Sequence, residues 1–156
     1  MNSDKGFSLT ELMVVIALIA IVTMIAVPAF NHYSVNANLR TAARDVASDI
    51  FNMRERAVSE NRQYMIEFSV GSNQYTLSEG TYTGAPWVAT LTKTPSAAGS
   101  DVRLTSAAFS FGTPKIFFQT RGLASAGSVS LSNRYGSTAT ITVNNAGRTH
   151  VQFNMQ

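Results

Sequence analysis

Two histidines, no cysteine and nine carboxylates make up the reactive inventory of this 156-residue chain. Neither His32 nor His150 lies at a metal-ligand spacing, so no metal site is expected. Serines are plentiful, but they fall in turn and strand patterns without a paired base. There is no nucleophile elbow, no Walker glycine loop and no dinucleotide fingerprint. A paired-carboxylate site would have to use Glu67, Glu79 or Asp101, and nothing in the spacing brings these together. The chain therefore reads as a non-enzyme without a cofactor. One carboxylate is oddly placed. Glu11 directly precedes the run from Leu12 to Phe30, LMVVIALIAIVTMIAVPAF, which only Thr23 and Pro28 interrupt. An acidic side chain drawn to the middle of a bilayer costs about 2.5–3.5 kcal/mol. Glu11 needs a cation, and Lys5, the nearest, is separated from it by Gly6-Phe7.

The elements around these residues follow from composition and periodicity. The chain is long enough for one domain, and its charged share of 13% is about half of what soluble proteins carry. As a helix the apolar run spans about 28 Å, close to the hydrocarbon thickness of a membrane. It is too long for an ordinary secretory signal, and the following NHYSVNANLRTAARDV continues in helical pattern. Lys5 lies before the run and Arg40 and Arg44 after it, so charge bias does not orient the span. Val35, Leu39, Ala42, Val46, Ile50, Met53 and Ala57 then recur at steps of three and four, with Ala43, Ala47, Phe51 and Val58 widening the stripe. Arg40, Arg44, Asp45, Asp49, Arg54, Glu55 and Arg56 take the other faces. One helix from about Ser8 to Asn61 results, roughly 80 Å long, bent at Pro28, where a backbone donor is missing.

Beyond the helix the pattern changes to strands. Tyr64–Val70 alternates, Gly71-Ser72-Asn73 turns, and Gln74–Leu77 returns as a hairpin. Ser78–Ser100 is rich in Gly, Pro, Ser and Thr and reads mostly as loop, with a strand at Trp87–Leu91; Trp87 reads as core sooner than as an interface anchor. Further strands are expected at Val102–Phe111, Ile116–Gln119, Ser128–Ser132, Thr138–Asn144 and Thr149–Phe153. The fold class is α+β: a long N-terminal helix, its first half transmembrane, packed on an antiparallel β-sheet.

Gly6-Phe7-Ser8-Leu9-Thr10-Glu11-Leu12, followed by an apolar run with a proline near its far end, resembles a type IV prepilin leader. The resemblance implies a pilin-like fold, cleavage between Gly6 and Phe7 by a prepilin peptidase on the cytoplasmic side, and methylation of the Phe7 amine. It implies that Glu11 serves assembly, pairing with the new α-amine of a neighbouring subunit. The parts would be a leader at 1–6, a transmembrane and assembly helix at 7–30, an amphipathic helix at 31–62 and a β-sheet domain at 63–156. The protein would cross the bacterial inner membrane once, hold its C-terminal domain in the periplasm, and partner other pilin or pseudopilin subunits.

The stretches Phe117-Phe118-Gln119-Thr120-Arg121-Gly122, Gly127–Leu131 and Ile141–Arg148 resemble the GspH/FimT group of minor pilins and minor pseudopilins. This implies a minor pilin of a type IV pilus, active in assembly or tip priming, or alternatively a minor pseudopilin of type II secretion. Pilus members of the FimT branch often carry a second basic residue two positions after the late Gly-Arg pair, and some bind DNA for transformation. Here that position is His150. After Asp101 there is no acidic residue, while Arg103, Lys115, Arg121, Arg134 and Arg148 remain. Such a basic stretch attracts phosphates. Lys115, Arg121, Arg134, Arg148 and His150 are accordingly the candidates for a DNA surface, with Tyr135 available for stacking.

Overall fold

From Leu9 to Ser59 the backbone is one unbroken α-helix, α1, in a computed structural model that describes residues 8–95 and 101–156. The chain divides into two units, one ending at Ser34 and the other running from Val35 to Gln156. In the first unit Ser8 caps the helix. Its Oγ accepts a hydrogen bond from the Glu11 amide at 3.2 Å, and its carbonyl takes the Leu12 amide at 3.1 Å. Serine at the cap with glutamate three residues on is the pattern of a capping box, and the carboxylate sits at the positive end of the helix dipole. Thr23 would be an unsatisfied polar group in an apolar run. Its hydroxyl instead donates to the Ile19 carbonyl at 2.7 Å, as a hydroxyl in lipid must. The helix continues through residue 28.

In the second unit the expected stripe is the buried face of α1. Val35, Leu39, Ala42, Ala43, Val46, Ile50, Met53 and Ala57 are all buried. Phe51 and Val58 do not widen it: they remain 54% and 48% exposed. The reason is angular, since at 100° per residue they lie well round the helix from the axis through Val46 and Ile50.

The strands are β1 (Tyr64–Ser69), β2 (Gln74–Thr81), β3 (Gly84–Lys93), β4 (Arg103–Phe109), β5 (Lys115–Phe118), β6 (Gly127–Ser132), β7 (Thr138–Val143) and β8 (Thr149–Asn154). They form two antiparallel sheets, ordered β3-β2-β1-β5 and β4-β6-β7-β8, where one sheet was expected. The two sheets and α1 share a core in which Leu39, Ile50, Ile66, Phe118, Leu131 and Ile141 are fully buried. The turn after β1 ties the sheets together. Asn73, at φ 53°, donates to the Val102 carbonyl at 3.0 Å and accepts the Leu104 amide at 2.7 Å.

The expected loop at Ser78–Ser100 is largely strand. β2 runs on to Thr81, and β3 begins three residues before Trp87 and ends two after Leu91; residues 96–100 lie outside the described residues. β3 is an outer strand with most of its residues exposed, a position that tolerates Thr, Gly and a proline such as Pro86. Trp87 is half-buried against Phe117, with ring centroids 5.6 Å apart.

Candidate functional site

The first unit offers a surface made almost wholly of hydrocarbon. The most apolar 18 residues of α1 have a mean hydropathy of 2.8, and none of them is buried. Met24 is 82% exposed and Ile25 71%. Apolar area on this scale is unstable in water and is covered by lipid or by other helices. Glu11 stands in the first turn of the same helix, exposed, with no cation beside it among the described residues. Gly6 and Phe7 lie outside the described residues, and of Pro28 the structure describes the helical backbone alone.

The basic candidates do not share one surface. Lys115, on β5, is paired with Glu67 at 3.1 Å. Arg134, in the β6–β7 turn, is paired with Asp101 at 3.5 Å and lies 5.1 Å from the Tyr135 ring centroid. Counting the carboxylates after Asp101 missed these partners, because the acids come from earlier in the chain. Arg148 lies in the β7–β8 turn, at the opposite end of β7 from Arg134, and six residues of strand separate the two turns by roughly 20 Å. His150 is exposed on β8.

The loops that carry Arg121 and Arg148 do come together, on a residue for which no role was expected. Arg54 of α1 donates from Nε to the Gly122 carbonyl at 3.1 Å. A Cβ on Gly147 would fall 2.5 Å from Arg54 Cδ and Nε and 2.7 Å from the Gly122 carbonyl oxygen. The Ala124 amide bonds the Asn145 carbonyl at 3.1 Å. The β5–β6 and β7–β8 loops therefore close on the Arg54 side chain, with Arg121 and Arg148 one residue from the packed glycines. The repeated Arg-Gly and Gly-Arg steps were the available signal.

A second feature had no forewarning. Asp49, expected on a face other than the apolar stripe, is 8% exposed. Lys93 donates to its two oxygens at 2.8 and 2.9 Å, and the Tyr75 hydroxyl donates at 2.7 Å. Burial, reinforced by the bond to Asp49, holds the Tyr75 hydroxyl far above the ordinary phenol range. Asp49 and Lys93 line two open clefts of about 520 and 470 Å³ between α1 and β3. Among the described residues no three His, Cys, Asp or Glu side chains converge as a metal site. This pair braces β3 against α1.

The family described as "Type II transport protein GspH" matches residues 42–147, and the prokaryotic N-terminal methylation motif matches residues 1–27. The chain belongs to the GspH family. A fimbrial protein of Pseudomonas aeruginosa is 29% identical over 87 residues, which are 51% of this chain and 56% of that protein; the chain thus spans about half the length of the fimbrial relatives it matches. The minor pseudopilin EpsH from the type 2 secretion system of Vibrio cholerae has the same fold, with a TM-score of 0.60 at 14% identity over 74% of this chain and 97% of that one. So has the type IV minor pilin FimU of Pseudomonas aeruginosa, with a TM-score of 0.54 at 13% identity over 73% and 92%. This GspH-family chain thus shares its fold with a minor pseudopilin and with a minor pilin.

Proposed function

We propose that this GspH-family chain is a minor pilin of a type IV pilus. The observation that carries the reading is the exposed apolar helix with a carboxylate, Glu11, in its first turn that has no ion pair among the described residues. The prepilin peptidase cuts between Gly6 and Phe7 on the cytoplasmic side, and the Phe7 amine is methylated. The apolar helix holds the protein in the inner membrane with its C-terminal domain in the periplasm. It then leaves lipid for a bundle of like helices, bending at Pro28 to follow its neighbours. In that low-dielectric bundle Glu11 is costly alone and is stabilised by the Phe7 amine of an adjacent subunit. The pair sets the axial register, because a subunit one turn out of place buries both charges unpartnered. The sequence match to fimbrial proteins favours the pilus.

Glu11→Ala tests this. The variant is expected to insert and to be cleaved as the wild type is, and to be missing from sheared filaments on immunoblot. Wild-type amounts in the filaments would sink the proposal. A second reading, a minor pseudopilin of type II secretion, is favoured by the fold likeness to EpsH. Deletion of the gene separates the two: loss of surface pili supports the first, and loss of protein secretion with pili intact supports the second.

A further inference from the structure

Asn36 is the second residue of the unit that begins at Val35, and the β6–β7 turn is fastened to it. Asn36 Oδ1 accepts hydrogen bonds from Asn133 Nδ2 at 2.7 Å and from the Ser137 hydroxyl at 2.9 Å. Asn133 Oδ1 in turn accepts the Tyr135 and Ser137 amides, both at 3.0 Å. The Gln156 amide donates to the Ser137 hydroxyl at 3.0 Å, so the end of the chain joins the same cluster. Arg134 and Tyr135 are thereby held at the end of this unit where the chain arrives from the apolar run. Six residues separate Phe30 from Asn36, a reach of at most about 21 Å. The polar layer of a bilayer takes up roughly 5–8 Å of that.

Charge at the Asn36 end identifies what it meets. Between Glu11 and Asp45 the chain has no acidic residue. Arg40 is exposed one turn on from Asn36, and helical side chains tilt back towards the N-terminus. Arg103 and Arg134 line one cavity of about 180 Å³ with Asp101, Ser132 and Asn133. Arg134 is paired with Asp101 and lies against the Tyr135 ring. Arg40 and Arg103 make no ion pair among the described residues. Three arginines set against Asp101, and against a Gln156 carboxyl as well, leave positive charge in excess. Guanidinium forks match phosphate oxygens, and tyrosine favours the headgroup level of a membrane. We propose that the Asn36 end of this unit is a headgroup-binding surface: Arg40, Arg103 and Arg134 hold the phosphates of anionic phospholipids, with Tyr135 at the interface. The inference rests on the membrane-anchored reading above and goes beyond it, because the apolar helix requires hydrocarbon alone, whereas this surface selects headgroup charge.

Photo-crosslinking of the full chain in vesicles of equimolar phosphatidylglycerol and phosphatidylcholine tests it. One preparation carries p-benzoylphenylalanine in place of Tyr135, and another carries it in place of Ile16 as a reporter of insertion. Mass spectrometry of the adducts identifies the lipid. Position 135 should favour phosphatidylglycerol at least about threefold, since each arginine near an anionic surface adds to the attraction, and the preference should fall as salt rises. Position 16, among acyl chains, should show none. Combining Arg40→Gln with Arg103→Gln, which breaks no ion pair described within the chain, should bring the preference at 135 close to parity. Equal adducts of the two lipids at 135, a preference unchanged in the double variant, or an adduct with a second copy of this chain in place of lipid overturns the proposal. Lipid adducts from 16 with none from 135 overturn it while the anchoring reading stands. Absence of lipid adducts from both positions overturns both.

Discussion

Tyr64 and Glu60 contribute to the pH response of the second unit, beside Tyr75. The Tyr64 ring is buried, its hydroxyl donates to the Glu60 carboxylate, and Arg56 lies over the ring at 4.9 Å. Burial first, and the bond to Glu60 second, push the Tyr64 hydroxyl up to about 12. The folded state thus holds this proton more tightly than the unfolded chain does. Its contribution is whole below about pH 10 and is lost as pH rises through about 12. Glu60 has the opposite sign: the bonds from Tyr64 and then Arg56 lower it, so its contribution is present above its ordinary range and lost on acidification. Urea melts of detergent-solubilised protein from neutral to strongly alkaline pH should show the alkaline decline, and Tyr64→Phe should lessen it, leaving the part due to Tyr75. Asp49→Ala should cost about 1–3 kcal/mol in the same melts, because it strands the Tyr75 hydroxyl and the Lys93 ammonium. Lys93→Met should cost at least as much, because it leaves the buried Asp49 carboxylate with the Tyr75 hydroxyl as its remaining partner. Neither role was legible in the sequence. A helix carboxylate reads as solvated until a strand 44 residues later brings its lysine, and no local pattern encodes that meeting.

Helix α1 was the most legible element, because its spacing repeats over many turns and errors of one residue average out. Even so, the width of the stripe was overread, and substitution separates its two parts. Ile50→Ala should cost about 2–5 kcal/mol, as truncation in a packed core does, whereas Phe51→Ala should stay within about 0.5 kcal/mol of wild type in thermal melts. β3 was hidden for the converse reason. An outer strand need bury little, so its Thr, Pro and Gly carry no alternation to detect. The glycines of the turns are likewise indistinguishable by sequence but not by surroundings. Gly147 and Gly136 both have positive φ, at 70° and 82°, yet a Cβ on Gly136 meets nothing within 4 Å. Gly136→Ala should therefore cost about 1 kcal/mol for its backbone alone. Gly147→Ala should cost about 2–4 kcal/mol, because it also drives a methyl into Arg54 and the Gly122 carbonyl.

At the scale of the whole molecule, the class of fold and the kind of protein were legible from few residues. Gly6, Phe7, Glu11 and the apolar run carry the family resemblance, and the change from helical to alternating period after Asn61 points to α+β. The partition into two sheets was not legible, since antiparallel strands reveal their inward face but not their neighbour. Nor was the dispersal of the cations, whose pairing with Glu67 and Asp101 is a long-range fact. The Ser8 cap has one further consequence. The hydroxyl that fastens the first turn lies downstream of the proposed scissile bond and stays with the product. Trimming the leader therefore need not unwind the rod, and precursor and product can share the same secured beginning while differing in the charge they offer to a neighbour.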